Sequence, residues 1–290
     1  MAKEKKMKII WYMKNVYKYF KKGGFKQNGV IYMQLTQLAK NELLNKKNIL
    51  ITGGSSGIGF AIAKACINAG ANVVITGRNE KKLENACSKL GNKAQGYVHD
   101  ISDIDVKKYN KMIELAGGRI DAIVNNAGIS PDVHFGNCDL DCYDKIMDTN
   151  LKGHFFITEF FVNYWIQNNM EGNIVMVASN SGVVGLTEPY ALSKKAIVSL
   201  TEGIAKKYGC NNIRCNAVAP DVTISEITEW SKSFDPRGNL ACDSVKQGRV
   251  FLPDEIAEVV LFLISNESVC VNGQVIHCDN AGSLPVNTLG

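Results

Sequence analysis

Tyr190 and Lys194 are residues whose types and spacing could do chemistry. They lie four residues apart in a segment, 189–209, that is predicted to be helical, so their side chains share one helix face. A free tyrosine has a pKa of about 10, and a nearby ammonium stabilises the phenolate and lowers that pKa. The pair is therefore a candidate proton-transfer site. The alternative is an ordinary surface pair, because a single tyrosine and lysine at this spacing is unremarkable.

Ser179 lies eleven residues before Tyr190 and directly follows a predicted strand at residues 174–177. In an open α/β sheet, ligands bind beyond the carboxyl ends of the strands, which is where this residue would lie. A hydroxyl at that place could donate a hydrogen bond to a substrate carbonyl and to the alkoxide that develops from it. Ser181 is a rival for this role, and we prefer Ser179 because it comes immediately after the strand.

A glycine-rich turn with the spacing Gly53-x3-Gly57-x-Gly59 follows a short apolar run and precedes apolar residues at helical spacing. A strand, a glycine turn and a helix together present backbone N–H groups and a helix N-terminus to a phosphate. Glycine suits the turn because a Cβ would block the close approach of a pyrophosphate. An ordinary turn is the alternative. The turn residues predicted to contact a dinucleotide are Gly53, Ser55, Ser56, Gly57, Ile58 and Gly59.

The residues after the second predicted strand indicate which dinucleotide binds. Proteins that bind the 2′-hydroxyl of NAD(H) usually place an acidic residue about 20 residues beyond the glycine turn, whereas an arginine suits the 2′-phosphate of NADP(H). In this sequence Gly77 occupies the position where that acidic residue would stand, and the cationic Arg78 follows it. The sequence therefore favours NADP(H), with NAD(H) as the alternative. A solvated surface arginine is the other interpretation of Arg78.

Two further polar residues end predicted strands. Asp100 follows the third strand, where its carboxylate could accept a hydrogen bond from an adenine amino group; its alternative role is a helix cap or a turn. Asn126 ends the fourth strand, and its alternative role is a turn asparagine. Both residues lie at the edge of the sheet where a dinucleotide would bind.

Strands and helices alternate from residue 46 onward. Repeated βαβ units predict a single Rossmann-type, doubly wound parallel sheet of about seven strands with helices on both faces. With 46% hydrophobic and 21% charged residues, the sequence is typical of a soluble globular protein. It has no apolar run of about 18 residues and no secretory signal, and its nine cysteines lack metal-binding spacing. We expect a cytoplasmic protein with reduced thiols and no bound metal.

Residues 1–44 form a basic, aromatic extension before the predicted domain at 45–290. Residues 1–47 carry a net charge of +10, which leaves −5 for the rest of the chain, so the basic pI does not support nucleic-acid binding by the domain. Residues 7–22 are predicted to form a helix in which lysines and aromatic residues are interleaved. Residues 1–22 could contact an anionic membrane surface or a partner protein, or pack on their own dimer.

Together these motifs resemble the short-chain dehydrogenase/reductase family in order and spacing, and its 3-oxoacyl-ACP-reductase-like members in particular. The match covers roughly residues 45–282. The motifs are Thr52-Gly53-x3-Gly57-Ile58-Gly59, Asn125-Asn126-Ala127-Gly128, Asn150, Ser179 and Tyr190-x3-Lys194. The resemblance implies hydride transfer between a nicotinamide dinucleotide and a small-molecule ketone/alcohol pair, in a homodimer or homotetramer.

The resemblance also implies a role for each matched residue. Tyr190 would be the general acid in reduction and the base in oxidation, while Lys194 would lower its pKa and hold the nicotinamide ribose. Ser179 would orient the substrate oxygen, and Asn150 would hold a water in the proton relay. The residues implied to contact the cofactor outside the glycine turn are Arg78, Asp100, Ile101, Asn126, Ala127, Gly128, Tyr190, Lys194, Pro220 and Ser225.

The sequence departs from the family pattern at two loops. Asp221 stands where a glycine usually follows Pro220, so either the backbone differs there or an acid faces the substrate. Asp279-Asn280-Ala281 replaces Asp-Gly-Gly, which affects the packing of the C-terminal segment.

Residues 223–251 are expected to form a variable lid over the site. Trp230 and Phe234 could form an apolar wall or be plain packing, and Arg237 or Arg249 could meet an anionic substrate or be solvated. Fatty-acyl β-ketones, sugars or their nucleotide conjugates, and steroid-like ketones remain open as substrates. The alternative function is a dinucleotide-binding scaffold or sensor whose catalysis has lapsed, tethered through its basic N-terminus.

Overall fold

The computed structural model describes residues 40–225 and 249–284. Several sequence-based hypotheses concern residues outside these ranges, namely residues 7–22, Trp230, Phe234 and Arg237. Within the described ranges, no helix is both long enough and apolar enough to cross a bilayer.

One sheet of seven parallel strands forms the centre of the described chain. The strands are β1 (Asn48–Ile51), β2 (Asn72–Gly77), β3 (Ala94–Val98), β4 (Ala122–Asn125), β5 (Gly172–Val177), β6 (Ile213–Pro220) and β7 (Val275–Cys278). Their order across the sheet is β3-β2-β1-β4-β5-β6-β7. The order reverses between β1 and β4, and a crevice for ligands opens at the carboxyl ends of the strands there. The predicted doubly wound sheet is confirmed.

Helices cover both faces of the sheet. They are α1 (Gly57–Asn68), α2 (Glu80–Leu90), α3 (Val106–Leu115), α4 (Leu140–Met147), α5 (Gly153–Gln167), α6 (Pro189–Tyr208) and α7 (Pro253–Ile264). Successive residues of β1 alternate between two core clusters. Ile49 and Ile51 pack with α1, α2 and α7, while Leu50 packs with α3, α5 and α6. Leu44 is buried in the first cluster, although the sequence assigned it to the extension.

The region predicted as one helix, residues 142–168, consists of α4 and α5 joined by a π-helical turn, Asp148–Lys152. A π turn adds one residue without interrupting a run of apolar residues, so the sequence pattern did not reveal it. This turn carries the buried Asn150. Gly153 follows it, and a Cβ there would lie 2.3 Å from the carbonyl oxygen of Ile101, so only glycine permits this backbone contact.

The turn after β7 holds one of the two departures from the family pattern. The buried Asp279 carboxylate accepts hydrogen bonds from the backbone N–H groups of Ala281 (3.1 Å) and Ser283 (2.8 Å). Asn280 and Ala281 adopt positive φ angles of 48° and 65°, in the left-handed region that favours glycine. The backbone therefore keeps a conformation suited to glycine although both residues carry side chains.

We predict that Ala281→Gly stabilises the protein modestly. An alanine in the left-handed region costs about 1–2 kcal/mol. Glycine removes this cost, but it also increases the conformational entropy of the unfolded chain, which lowers the stability by roughly 0.4–1 kcal/mol. Urea unfolding of the full-length variant measures the difference. Asn280→Gly is the matched control and should gain less, because asparagine tolerates this region. A loss of stability in Ala281→Gly would show that the turn is not strained.

Candidate active site

The turn between β1 and α1 is shaped by three glycines. Gly53 and Gly57 have positive φ angles of 65° and 53°, which residues with a Cβ rarely adopt. A Cβ on Gly59 would lie 2.3 Å from the carbonyl oxygen of Gly53, so α1 packs on the turn only through a glycine. Ser56 precedes α1 and makes no side-chain hydrogen bond that caps it. The first N–H groups of α1 can therefore bind an anion.

Asn126 fastens this turn to the end of β4. Its side-chain NH₂ donates to the carbonyl oxygens of Thr52 (2.9 Å) and Gly53 (3.0 Å). The Thr52 hydroxyl in turn accepts hydrogen bonds from the backbone N–H groups of Asn126 (2.9 Å) and Ala127 (3.0 Å). Asn126 thus braces the glycine turn, a role that the sequence did not indicate. Thr52 was also missed as a functional residue, and only its position before Gly53 pointed to it.

The residues expected at the adenosine end lie beyond β2 and β3. A Cβ on Gly77 would lie 3.1 Å from the Ser55 hydroxyl oxygen, so a larger side chain at this position would crowd the glycine turn. Arg78 is exposed beside it. Asp100 accepts hydrogen bonds from the Ser102 N–H (3.0 Å) and hydroxyl (2.7 Å), which is its alternative role as a turn residue. Burial raises the pKa of Asp100, but these bonds and the Arg78 charge outweigh it and hold that pKa below its usual value.

Ser179 and Tyr190 bring their hydroxyl groups together beyond β5. Ser179 caps a short 3₁₀ helix, Asn180–Gly182, and its oxygen accepts a hydrogen bond from the Ser181 N–H (3.2 Å). The Ser179 hydroxyl lies close enough to the Tyr190 phenol to act against the rise in the tyrosine pKa that burial causes. Both residues are partly exposed, so a ligand can reach the pair. Of the two rival serines, Ser181 supplies a backbone contact that orients Ser179.

Lys194 is buried one helical turn beyond Tyr190. Its Nζ donates to the carbonyl oxygen of Val177 (2.8 Å) and lies 5.7 Å from the centre of the Tyr190 ring. Burial lowers the pKa of Lys194 to about 8. Burial also raises the pKa of Tyr190, although the nearby Ser179 hydroxyl opposes this rise. The expected lowering of the Tyr190 pKa is therefore not seen, because loss of water dominates at the phenol and the ammonium donates to Val177.

Asn150 anchors the loop after β4 to the helix that carries Tyr190. Its Oδ1 accepts from the Ile129 N–H (2.9 Å), and its Nδ2 donates to the Ile129 carbonyl oxygen (2.8 Å). Nδ2 also donates to the Ser193 hydroxyl (3.3 Å), which itself donates to the Tyr190 carbonyl oxygen (2.6 Å). Ser193 was missed in the sequence, where its position between Tyr190 and Lys194 was the only signal.

His154 is a second residue without a predicted role. It is buried one turn beyond Asn150, and its Nε2 lies 2.6 Å from the carbonyl oxygen of Ala127. Burial, helped by the charge of Lys194, lowers the pKa of His154 to about 3, so the ring is neutral. Nε2 must then carry the proton, because a carbonyl oxygen can only accept. A lone histidine in an apolar helix gives no sequence signal for this contact.

Close contacts join the loop after β4 to Asn150 and Lys194, and the glycine turn to the loop after β6. A Cβ on Gly128 would lie 3.4 Å from Asn150 Oδ1 and 3.6 Å from Lys194 Nζ. On the other side, the Cβ of Ser225 lies 3.2 Å from the place that a Cβ on Gly57 would take. The turn after β4 and the loop after β6 therefore enclose one crevice.

Asp221 directly follows Pro220, the last residue of β6. Its Oδ1 accepts a hydrogen bond from the N–H of Val222 (2.8 Å). Its Oδ2 lies 3.1 Å from the place that a Cβ on Gly282 would take, in the turn after β7. The carboxylate is thus engaged with neighbouring backbone.

Arg249 forms an ion pair with Glu255. Its Nη1 and Nη2 donate to the two carboxylate oxygens at 2.9 and 2.7 Å, and the guanidinium lies 5.6 Å from the centre of the Phe251 ring. The hydrogen bond from Arg249 lowers the pKa of Glu255 to about 2. Both hypotheses for Arg249, contact with an anionic substrate and plain solvation, are therefore replaced by a structural role.

These residues fit a nicotinamide dinucleotide. The glycine turn has no space for Cβ atoms and offers a helix N-terminus, which suits a pyrophosphate. At the other end of the crevice, the hydroxyl pair of Ser179 and Tyr190 can hold and protonate a carbonyl oxygen. Lys194 lies between these two parts, within reach of Gly128 and the Tyr190 ring.

Known proteins resemble this chain over most of its length. A family model described as enoyl-(acyl carrier protein) reductase matches residues 53–281. A 3-oxoacyl-[acyl-carrier-protein] reductase of Thermotoga maritima is 37% identical over 242 residues, which are 81% of this chain and 97% of that protein.

Two solved structures extend the similarity to the whole fold. A short-chain type dehydrogenase/reductase from Mycobacterium marinum has a TM-score of 0.76 at 28% identity, over 84% of this chain and 99% of that one. A 3-ketoacyl-(acyl-carrier-protein) reductase from Brucella melitensis, solved in complex with NADH, has a TM-score of 0.74 at 28% identity, over 83% and 100%. The similarity covers each of these proteins almost completely, and the chain belongs to the short-chain dehydrogenase/reductase family.

Proposed function

We propose that the protein is an NADP(H)-preferring oxidoreductase that reduces a ketone to a secondary alcohol or runs the reverse reaction. The observation that carries this proposal is the proximity of the Ser179 and Tyr190 hydroxyl groups to each other and to the buried ammonium of Lys194, which lies 5.7 Å from the centre of the Tyr190 ring. Related reductases named for 3-oxoacyl and 3-ketoacyl groups support a ketone as the reacting group.

The proton and the orientation of the substrate come from the protein's own hydroxyl groups. Ser179 donates a hydrogen bond to the ketone oxygen and holds it beside the phenol. Tyr190 gives its proton to that oxygen as negative charge develops, and takes a proton back in the reverse direction. An ordinary tyrosine has a pKa of about 10 and is already protonated at neutral pH, as a proton donor requires. A bound nicotinamide supplies or accepts the hydride at C4.

Lys194 and Asn150 support this step. An ammonium has three N–H donors and Val177 accepts one bond from it, so Lys194 can also bind the ribose hydroxyls of the cofactor and stabilise the phenolate. Asn150 is proposed to hold a water molecule in the proton relay. Its side chain makes two short hydrogen bonds with the Ile129 backbone, so the longer 3.3 Å hydrogen bond to the Ser193 hydroxyl is the one that a water would replace.

The preference for NADP(H) rests on the residues beyond β2. Gly77 provides no carboxylate for a ribose 2′-hydroxyl, while the Ser55 hydroxyl and the exposed Arg78 flank that place. An arginine binds a phosphate through charge-assisted hydrogen bonds. NAD(H) is the competing cofactor, since the related Brucella melitensis reductase was solved with NADH.

The second candidate function is a dinucleotide-binding scaffold or sensor without catalysis. A protein that had lost its chemistry would be free to lose the phenol or the ammonium, and this chain retains both. The arrangement of Ser179, Tyr190 and Lys194 around one point therefore favours the enzyme.

We predict that Tyr190→Phe lowers kcat for ketone reduction by at least about 100-fold, because general acid catalysis contributes 10²–10⁴-fold. The dinucleotide Kd should change little, since the ring and Lys194 remain. NADPH oxidation with a panel of ketones and a fluorescence titration of NADPH measure the two quantities. Ser179→Ala should also lower kcat strongly, whereas the matched control Ser181→Ala should not. Full reductase activity in Tyr190→Phe would contradict these roles.

We also predict that Arg78→Ala lowers kcat/KM with NADPH by roughly tenfold to 100-fold, as expected for a lost hydrogen bond to a charged group. The value with NADH should stay nearly constant, because that cofactor lacks the 2′-phosphate. Steady-state kinetics with both cofactors give the ratio. Lys81→Ala, which removes an exposed cation from the start of α2, is the control for general charge. Equal losses with NADPH and NADH would contradict the role of Arg78.

A further inference from the structure

Two loops flank the place where a carbonyl oxygen would bind. The hydroxyl pair of Ser179 and Tyr190 fixes that oxygen, so the rest of a substrate must extend along its neighbours. The β5 loop, residues 180–188, leads from Ser179 to the helix of Tyr190. The β4 loop, residues 129–139, begins at Ile129, whose backbone makes two hydrogen bonds with the Asn150 side chain. Their side chains are therefore the first that a substrate meets.

The two loops approach each other and expose apolar side chains. His134 Nδ1 of the β4 loop lies 3.8 Å from Glu188 Oε1 of the β5 loop. Beside this contact, Phe135 is 83% exposed at the tip of a turn that is closed by a hydrogen bond from the His134 N–H to Asn137 Oδ1 (2.7 Å). Leu186, two residues before Glu188, is 45% exposed. A turn closed by a hydrogen bond thus presents an exposed aromatic ring next to the point where the two loops meet.

The same loops carry negative charge. The β4 and β5 loops, and the described loops after β6 (221–225) and β7 (279–284), contain no lysine and no arginine. Asp132 is 97% exposed and Glu188 is partly exposed, and both carboxylates contact the ring of His134, whose Nε2 lies 3.2 Å from Asp132 Oδ1. The other carboxylates in these loops are Asp139, Asp221 and Asp279. Residues 226–248 hold four acidic and three basic residues, so their composition does not offset the negative charge of these loops.

We propose that the carbonyl substrate is an uncharged ketone with an apolar chain, and that Asp132 and Glu188 disfavour anionic ketones. The apolar chain would lie against Phe135 and Leu186. Keto acids, sugar phosphates and thioesters carried on a phosphopantetheine arm would be poor substrates, because each brings negative charge toward these carboxylates. The proposal rests on the proposed ketone reductase function and names its substrate class.

A matched pair of ketones tests the charge preference. Ethyl 3-oxohexanoate and the 3-oxohexanoate anion share the reacting group and differ in charge, and acetoacetyl-CoA adds an anionic thioester. With full-length protein and NADPH at neutral pH, kcat/KM for the ester should exceed that for the anion by roughly tenfold, as two or three exposed like charges would produce. Added salt should shrink this ratio, because exposed charges are screened.

Substitutions of Asp132 and Glu188 test whether these carboxylates cause the preference for the uncharged ester. Asp132→Asn and the double variant Asp132→Asn/Glu188→Gln should raise kcat/KM for the anion more than for the ester, and the double variant should shrink the ratio by roughly fivefold. Asp132 is almost fully exposed, so its replacement leaves the fold intact. Glu114→Gln, which removes an exposed carboxylate from α3, is the matched control and should leave the ratio unchanged.

Chain length tests the apolar contact. For 3-oxo esters of increasing acyl length, kcat/KM should rise by roughly twofold to fourfold per added methylene, and Phe135→Ala should weaken this rise. If the anion or the CoA thioester is reduced as well as the ester, the inference is overturned while the reductase function stands. If no ketone is reduced with NADPH or NADH, the proposed function fails and this inference falls with it.

Discussion

The buried ammonium of Lys194 is the constraint on which the proposed catalytic half of the site depends. Removing an ammonium from water costs on the order of several kcal/mol. The fall of the Lys194 pKa to about 8 reflects that loss of water. The structure compensates with one fixed acceptor, the carbonyl oxygen of Val177 at the end of β5. The sheet, rather than a loop, therefore sets the position of the ammonium relative to Tyr190.

The polar groups near Lys194 are neutral, which leaves N–H donors of its ammonium available to a ligand. His154 is kept uncharged by burial and by the lysine itself, and it donates to the carbonyl oxygen of Ala127. Asn150 meets Ile129 through two neutral hydrogen bonds. Among the described residues, only burial accounts for the Lys194 pKa shift, with no carboxylate contributing. A paired carboxylate would occupy the N–H donors of the ammonium, whereas this arrangement leaves them for hydroxyl groups of a ligand.

The sequence predicted the sheet and the ends of its strands well, because short apolar runs and glycine turns are local signals. The motif residues Gly53, Ser179 and Tyr190 also lie where the pattern placed them. Other features depend on contacts between distant segments and have no local signal. The π turn around Asn150 follows from packing against the loop after β4, and the ion pair of Arg249 requires knowing where α7 begins.

The two departures from the family pattern lie close together in the structure. The Asp221 carboxylate occupies space directly beside Gly282, where a Cβ would lie 3.1 Å from its Oδ2. A Cβ at 282 would therefore require the carboxylate to shift by a few tenths of an ångström. Asn280 and Ala281 take the left-handed conformations that a pair of glycines would adopt, and the glycine itself comes one residue later. The acid in the loop after β6 and the altered turn after β7 are thus neighbours, and they meet at Gly282.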